Sequence, residues 1–319
     1  MKWLTCLLLF AALCGCADDS KTPSTFAIAT ATTGGIYYPF GGAMASIWSK
    51  HLEHVNAKAE VTGGSVINVI QVARHESEIG IAMGDVVTDA YLGQGKFPEP
   101  LPLRVLFTAY PNIVHIMALE GSGIERVSDL VGKRVSLGAA GSGTAAAAEN
   151  ILTGLGLSLN DFVPNYLGFG ETTTALKDRI IDAGFIFGGL GVAAVTELAV
   201  TRDLRLIPLS DQDLSAIIEK FPAYSGYHIP ASTYDKIDHD VQTLGVWTVV
   251  VVHSDMAEQT AYQLTCTIYR EREQLVKVTP AAKATTLENI HQLKAVPLHP
   301  GTLRYLANPD APCVDDIDV

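Results

Sequence analysis

Basic residues are scarce in this chain of 319 residues, which carries 22 lysines and arginines against 34 aspartates and glutamates. The formal net charge of −12 argues against a nucleic-acid partner, because domains that bind nucleic acid are usually basic. The negative charge does not exclude an acidic ligand, because helix dipoles and backbone N–H groups determine locally how well a buried site binds an anion.

Cysteine is also rare, and only Cys16, Cys266 and Cys313 lie beyond the first 15 residues. These three do not form the closely spaced cluster that a structural zinc site requires. The sequence leaves one disulfide open but disfavours it, because Cys266 falls in a helical pattern and Cys313 in a polar tail. The sequence therefore does not decide whether Cys266 and Cys313 pair, and it favours the unpaired state.

Catalytic motifs are missing as well: the chain has no Gly-x-Ser-x-Gly elbow, no Walker loop and no His-Glu-x-x-His. Residues 189–194 match the loose Gly-x-Gly-x-x-Ala dinucleotide pattern, but close packing of a strand on a helix through small residues explains them better. His115, His253 and His299 are isolated in the sequence, and we interpret them as structural. We expect no catalytic activity, no bound metal and no cofactor.

A short apolar segment at the N-terminus is typical of a secretory signal. Residues 4–13 are too few for a helix that spans a bilayer. Leu13-Cys14-Gly15-Cys16 resembles the lipobox of bacterial lipoproteins, in which cleavage precedes a lipidated cysteine. We expect a signal peptide over residues 1–15, a tether over residues 16–25, and an extracytoplasmic protein anchored to the membrane through lipid on Cys16. Ordinary cleavage to a soluble protein is the alternative, because Cys14 is unusual in a lipobox.

Strand-like and helix-like runs alternate along the rest of the chain, which predicts an α/β fold with a mostly parallel sheet. Two long β-branched runs, residues 113–119 and 244–252, predict a chain that crosses twice between two lobes around a ligand cleft. The predicted division is residues 26–112 plus 253–307 for lobe 1, residues 113–252 for lobe 2, and residues 308–319 for an acidic tail.

Three glycine-rich segments each separate a strand-like run from a helix-like run. They are residues 33–39, 62–65 and 138–144. The first N–H groups of a helix have no partner within the helix, and they lie at the positive end of its dipole. Such junctions can bind a carboxylate or another anion, although glycine and serine at helix starts more often act only as caps.

The junctions belong to a longer series of motifs that resembles the TAXI-type solute-binding proteins of tripartite ATP-independent periplasmic (TRAP) transporters. The resemblance implies a two-lobed fold of the type II periplasmic-binding-protein class, no catalytic activity, and delivery of a solute to a sodium-coupled membrane permease. It suggests glutamate, glutamine or 2-oxoglutarate-like ligands. The matching stretches, in family order, are residues 33–42, 61–68, Asp85 with Ala90-Tyr91, 130–135, 141–144, 229–234 and 298–305.

The sequence departs from the family pattern at three places, and the first of them, at Gly191, argues against copying the ligand from a relative. The family usually has proline where Gly191 stands, in a loop near the expected cleft, and glycine near Arg179. Met83 also stands before Gly84 where a polar residue is often found.

The candidate ligand-binding residues come from both lobes. We expect the ligand carboxylate at Ser142–Thr144, a covering role for Tyr37, and contact of Asp85 with a ligand ammonium group, unless Asp85 only caps a helix that starts at Val86. Rival functions are a ligand-sensing lipoprotein that feeds a signalling partner and, less favoured, an α/β enzyme. The candidates are Thr33, Gly35, Tyr37, Ser65 and Asp85 in lobe 1, and Ser142, Gly143, Thr144, Gly188 and Gly189 in lobe 2.

Overall fold

The computed structural model describes residues 24–53 and 55–313. The predicted signal peptide, Cys16, most of the tether and the last six residues lie outside this part of the chain. Within it, no helix is long and apolar enough to cross a membrane. The strands are β1 (Ser24–Ala29), β2 (Val55–Glu60), β3 (Ile79–Met83), β4 (Leu103–Leu119), β5 (Arg134–Ser136), β6 (Val163–Asn165), β7 (Ala183–Gly188), β8 (Leu204–Leu206), β9 (Ser225–Ile229) and β10 (Val241–His253).

The helices follow the strands in the alternation that the sequence predicts. Short 3-10 helices occupy Val127–Leu130, Leu159–Asp161 and Pro280–Ala284. The α-helices are α1 (Tyr37–His51), α2 (Ser65–Ala73), α3 (Gly84–Leu92), α4 (Gly143–Gly154), α5 (Phe169–Lys177), α6 (Ala193–Thr201), α7 (Asp211–Lys220), α8 (Glu258–Arg270), α9 (Arg272–Val278) and α10 (Pro300–Ala307).

The strands join one mixed sheet in the order β2-β1-β3-β10-β4-β7-β5-β6, with β8 paired to β4 and β9 paired to β10. The pairs β1–β2, β1–β3, β5–β6 and β5–β7 are parallel, as expected where a helix follows each strand. Antiparallel pairs all involve β4 or β10. The sheet is therefore mixed rather than mostly parallel as predicted: two halves of parallel strands, β2-β1-β3 and β7-β5-β6, are joined by the antiparallel strands β4 and β10.

These two strands are long enough to belong to both halves. The strand-like run predicted at residues 113–119 is only the second part of β4, a strand of 17 residues that begins at Leu103 and continues through Pro111. Pro111 lacks an N–H for pairing, and it lies opposite Trp247, where β10 shifts register before Val249. The division into lobes stays a prediction, although residues 248–252, which it assigns to lobe 2, pair with β3.

The core lies on both faces of the sheet, beneath the helices. Residues 249–252 of β10 are fully buried, as a central strand covered on both faces requires. Trp48 of α1 is also fully buried, and its indole N–H donates to the carbonyl of Leu264 in α8. The C-terminal helices therefore pack on the half of the sheet that contains β1 to β3.

The structure corrects the expectation for the two cysteines: Cys266 and Cys313 form a disulfide, with their Cα atoms 5.9 Å apart. Gly301 in the first turn of α10 lies directly against α8, where an added Cβ would meet the backbone of Glu258 and Tyr262. The chain leaving α10 therefore runs back beside α8, and the hydroxyl of Tyr262 donates to the Pro312 carbonyl at 3.2 Å. Helix packing, which the sequence does not show, brings the pair together.

Arg179 and Gly191, two of the departures from the family pattern, both have a left-handed backbone conformation. Arg179 follows α5 with φ of 58°, the left-handed conformation that usually belongs to glycine at the end of a helix. Its neighbour Ile180 donates its N–H back to the carbonyl of Ala175, which closes the helix end. Gly191 has φ of 72°, a value that the proline ring forbids.

We predict that Arg179→Gly stabilises the protein by about 0.5–1 kcal/mol, because glycine adopts this backbone conformation without steric cost. The Arg179 side chain is exposed, so its removal sacrifices little packing. Urea unfolding measures the change, and Arg179→Ala is the control, since alanine keeps the steric cost. Equal stability of the glycine and alanine variants would contradict the prediction.

Candidate functional site

The three glycine-rich junctions meet at one cavity between the two halves of the sheet. The starts of α1, α2 and α4 line it, together with the first residue of α5. The cavity offers about 40 Å³ to the centres of water-sized molecules, which is room for a few waters. Seven of the ten candidate residues line this cavity: Gly35, Tyr37, Ser65, Ser142, Gly143, Thr144 and Gly188.

Two of the junctions touch each other across the cavity. A Cβ on Gly63 would lie 2.9 Å from the carbonyl oxygen of Ala140, and one on Gly143 would lie 2.5 Å from Ser65 Oγ. Only glycine lets the backbones approach this closely. The N-termini of α2 and α4 therefore face each other, and both direct the positive ends of their dipoles toward the cavity.

The start of α4 is ordered by its own serine. Ser142 is the N-cap residue, and its Oγ accepts the N–H of Ala145 at 3.0 Å. A hydroxyl that accepts one hydrogen bond can still donate its proton, so Ser142 remains able to bind an anion. Thr144 is buried, and its side-chain methyl group packs against Gly138. Binding of a carboxylate here stays a prediction.

Tyr37 connects α1 to the two long strands. Its hydroxyl accepts a hydrogen bond from Asn112 Nδ2 at 2.9 Å and lies 3.5 Å from Thr248 Oγ1. Burial raises the pKa of Tyr37 to about 12, although the hydrogen bonds oppose this shift. Tyr37 is therefore neutral at physiological pH and rigidly held, so that its ring and hydroxyl form a fixed wall of the cavity.

Asn112 and Phe169 are cavity residues that the sequence analysis missed. Asn112 lies within β4, and no local pattern distinguishes it from other residues of a strand. Phe169 begins α5, and its ring carbons lie 3.1–3.2 Å from the Cβ position of Gly35. This aromatic ring of the second half therefore closes over the first glycine-rich junction.

The lining is electrically neutral apart from the helix dipoles. Among the residues that line the cavity, Tyr37 is the one with a titratable side chain, and its pKa is raised. The other polar groups are hydroxyls and one amide. An anion would therefore meet N–H groups and helix N-termini, while a cation would find no opposite charge in the cavity wall.

Three candidates do not line the cavity. Thr33 is exposed beside it, and Gly189 packs against Ile36 and Ala281, where a side chain would not fit. Asp85 is buried behind the wall, and its Oδ2 accepts the hydroxyl of Tyr224 at 2.6 Å. The alternative role of Asp85 as a helix cap is wrong, because α3 begins at Gly84 and Asp85 lies inside its first turn.

Asp85 instead contributes to a buried connection between the two halves. Tyr224 precedes β9, and its hydroxyl also accepts a hydrogen bond from Asn150 of α4 at 3.2 Å. Burial raises the pKa of Asp85 to about 6, and the hydrogen bond from Tyr224, which favours the ionised form, offsets only part of this rise. Its Oδ1 is buried without a partner, so the ionised form is costly.

Most of the chain matches a known protein family. Residues 28–308 match the model of the NMT1-like family. The chain belongs to that family. Since the match extends from β1 to just past α10, it includes both halves of the sheet and all three glycine-rich junctions of this NMT1-like protein.

Solved structures confirm the predicted two-lobed α/β fold of periplasmic binding proteins. PhnD1 from Prochlorococcus marinus (MIT 9301), in complex with methylphosphonate, is 13% identical over 83% of this chain and 92% of its own, with a TM-score of 0.54. A Bordetella bronchiseptica RB50 protein is 17% identical over 91% of each chain, with a TM-score of 0.53. A putative L-cystine ABC transporter from Listeria monocytogenes is 13% identical over 84% and 98%, with a TM-score of 0.50. At these identities the likeness shows the fold alone.

We predict that Asp85 makes the stability of this NMT1-like protein depend on pH. The folded-state pKa of about 6 exceeds the ordinary value of 3.8, so the folded protein binds the proton more tightly. The contribution of Asp85 to the free energy of unfolding is therefore greatest below pH 4. About 3 kcal/mol of this contribution is lost as pH rises from about 4 to 6. Asp85→Asn removes that loss.

Urea unfolding of the wild type and Asp85→Asn between pH 4 and 7 measures the difference in the free energy of unfolding. A second variant, Tyr224→Phe, removes the hydroxyl that favours the ionised carboxylate of Asp85. The loss of folding stability with rising pH should then extend to higher pH. Parallel curves for the wild type and Asp85→Asn would contradict the assignment to Asp85.

Proposed function

We propose that this protein is the extracytoplasmic solute-binding receptor of a TRAP transporter, and that it binds a small carboxylate in the cavity between its halves. The observation that carries the proposal is the convergence of three glycine-rich helix N-termini on one neutral, enclosed cavity. Such a site favours an anion of small size and offers no group to activate a nucleophile. The family membership and the fold of periplasmic binding proteins support this choice over an enzyme.

The ligand carboxylate binds at the start of α4 in this proposal. The N–H groups of Gly143 and Thr144 lie in its first turn, where they have no partner within the helix. Together with the hydroxyls of Ser142 and Thr144, they form charge-assisted hydrogen bonds of about 1.5–3 kcal/mol each. The start of α2 at Ser65 adds a second positive dipole end from the opposite side.

The other end of the ligand contacts Tyr37, Asn112 and Phe169. Tyr37 and Asn112 offer neutral polar groups, and Phe169 offers an apolar ring. Asp85 is buried behind the cavity wall and does not line the cavity, so it would reach a ligand ammonium group only if the wall moved. The cavity therefore favours 2-oxo acids and short carboxylates over glutamate or glutamine, which remain the other candidates.

Closure of the two halves is the signal that the permease reads in this proposal. Contacts such as Phe169 on Gly35 and Tyr224 with Asp85 exist only when the halves are together. A ligand that contacts both halves stabilises that arrangement by its differential affinity for the closed state. The permease is sodium-coupled, and lipid on Cys16 keeps the receptor near it.

A related receptor of an ABC transporter is the rival assignment, and one observation favours it: the putative L-cystine ABC transporter from Listeria monocytogenes shares the fold over 84% of this chain. Reconstitution distinguishes the two assignments. Uptake into vesicles by the cognate permease would need a sodium gradient for a TRAP transporter and ATP hydrolysis for an ABC transporter. A signalling partner in place of either permease would show ligand binding without uptake.

We predict that a small carboxylate raises the thermal midpoint of the mature protein by about 4 °C or more at 100 times its dissociation constant. The panel contains acetate, pyruvate, 2-oxoglutarate, succinate, glutamate and glutamine, with methylphosphonate as a second anion and putrescine as a cation. Ser142→Ala and Thr144→Val should weaken binding about 10-fold or more, since each removes a hydroxyl from the site.

Thr153→Val is the matched control, because Thr153 lies exposed on the same helix, away from the cavity. Its affinity should equal that of the wild type. The proposal fails if no anion of the panel shifts the midpoint, or if the two site variants bind as tightly as the control.

We predict that Gly143→Ala prevents closure. Its Cβ would lie 2.5 Å from Ser65 Oγ and 2.7 Å from Met83 Sδ, so the halves must stay apart. Small-angle X-ray scattering should show that ligand compacts the wild type but not this variant. Gly170→Ala is the control, since it also lies in the first turn of a helix and its Cβ would meet nothing within 4 Å. Compaction of Gly143→Ala like that of the control would refute the closure model.

A further inference from the structure

Two histidines and one aspartate lie together at the end of the sheet opposite the cavity. His75 is in the turn after α2, His253 is the last residue of β10, and Asp255 follows two residues later. β3 passes from this cluster to the cavity, with Ile79 paired to Val252 at one end and Met83 lining the cavity at the other. A strand of this length separates the two places by about 15 Å.

The donor atoms of the three side chains converge. Nδ1 of His253 lies 2.5 Å from Oδ1 of Asp255, and Nε2 of His75 lies 3.6 Å from Oδ2 of the same carboxylate. The two imidazole rings lie 4.0 Å apart between centroids, and one ligand atom from each residue falls within 4.8 Å of the others. Ligands about 2.0–2.2 Å from a tetrahedral zinc ion are about 3.3–3.6 Å from one another, so small side-chain rotations suffice.

A second observation points to a ligand at the same place. The cluster lines a cavity of about 220 Å³, counted as space for the centres of water-sized molecules. Ser77 lines this cavity, is 1% exposed, and has an Oγ without a hydrogen-bond partner. Buried hydroxyls are rarely left unpaired, so Ser77 adds a polar group with unused hydrogen-bonding capacity to the wall of this cavity.

The ordinary explanation for such a cluster is a surface histidine paired with an aspartate. The chain contains a pair of this kind at His239, whose Nδ1 lies 3.1 Å from Oδ1 of the exposed Asp238. Within the described part of the chain, no third His, Cys, Asp or Glu side chain joins that pair at ligand distance. Two imidazoles on one carboxylate, beside a cavity with room for water, are the additional features at His75, His253 and Asp255.

We propose that His75, His253 and Asp255 form a binding site for a divalent transition-metal ion of the zinc class. Two imidazoles and one carboxylate suit zinc and its neighbours rather than calcium or magnesium, which prefer oxygen ligands. The cavity leaves a fourth position for water, near the hydroxyl of Ser77. Bound metal ties the turn after α2 to the end of β10. The site shares no residue with the solute cavity, so it stands or falls independently of the proposed transport function.

Isothermal titration of the metal-free mature protein with ZnCl₂ tests the proposal, with the protein free of any histidine tag. One equivalent should bind at pH 7.5, and Co²⁺ in its place should give the visible absorption of a tetrahedral site. His75→Ala, His253→Ala and Asp255→Asn should each weaken Zn²⁺ binding 10-fold or more. His239→Ala is the matched control and should bind like the wild type.

Zinc should also raise the thermal midpoint of the wild type and of His239→Ala but not that of the three site variants. Circular dichroism of the metal-free proteins verifies that all variants are folded, and unfolding of one site variant leaves the other two to decide. The proposal is overturned if Zn²⁺ does not bind, if all folded site variants bind it like the wild type, or if Ca²⁺ or Mg²⁺ binds in its place.

Discussion

The antiparallel pairing of β4 with β10 is the interaction on which the rest of the structure depends. Both strands run through both halves of the sheet, so the halves remain joined through them whatever their relative position. They also place Asn112 and Thr248 side by side beneath the hydroxyl of Tyr37. If the halves close as proposed, these two strands must bend, because they join the halves.

Glycine provides the second constraint, because the cavity is formed from backbone rather than from charged side chains. At Gly63 and Gly143 the absence of a side chain lets two helix N-termini approach each other. An arginine or lysine at this place would carry its charge into a narrow cavity with room for only a few waters, where desolvation is expensive. Backbone N–H groups and helix dipoles offer positive potential without that cost, and they are already ordered before a ligand arrives. The cavity wall is neutral and the cavity is small because its lining is glycine-rich backbone rather than charged side chains.

The parts of the site that the sequence predicts are those that have a recognisable local pattern. A strand followed by glycine and then by a helix is recognisable in a few residues. Ser142 lies in such a junction, and it is the N-cap residue of α4 in the structure. Asn112, by contrast, lies in the middle of a strand that passes between the halves, and nothing nearby in the sequence marks it. Its position after β3 makes Asp85 a candidate for the ligand, but folding buries it behind the cavity wall, where the distant Tyr224 donates a hydrogen bond to one of its oxygens. Its raised pKa follows from burial, which only the packed structure shows.

The sequence by itself determined the alternation of strands and helices, the three glycine-rich junctions and the two β-branched runs that lie in β4 and β10. Each of these depends on residues within about one turn or one strand, where steric preference and hydrogen bonding act directly. Only the tertiary structure decided which junctions face each other, how Cys266 meets Cys313, and that His75 lies beside His253. These contacts join residues far apart in the chain, and their existence depends on the packing of whole helices against one sheet.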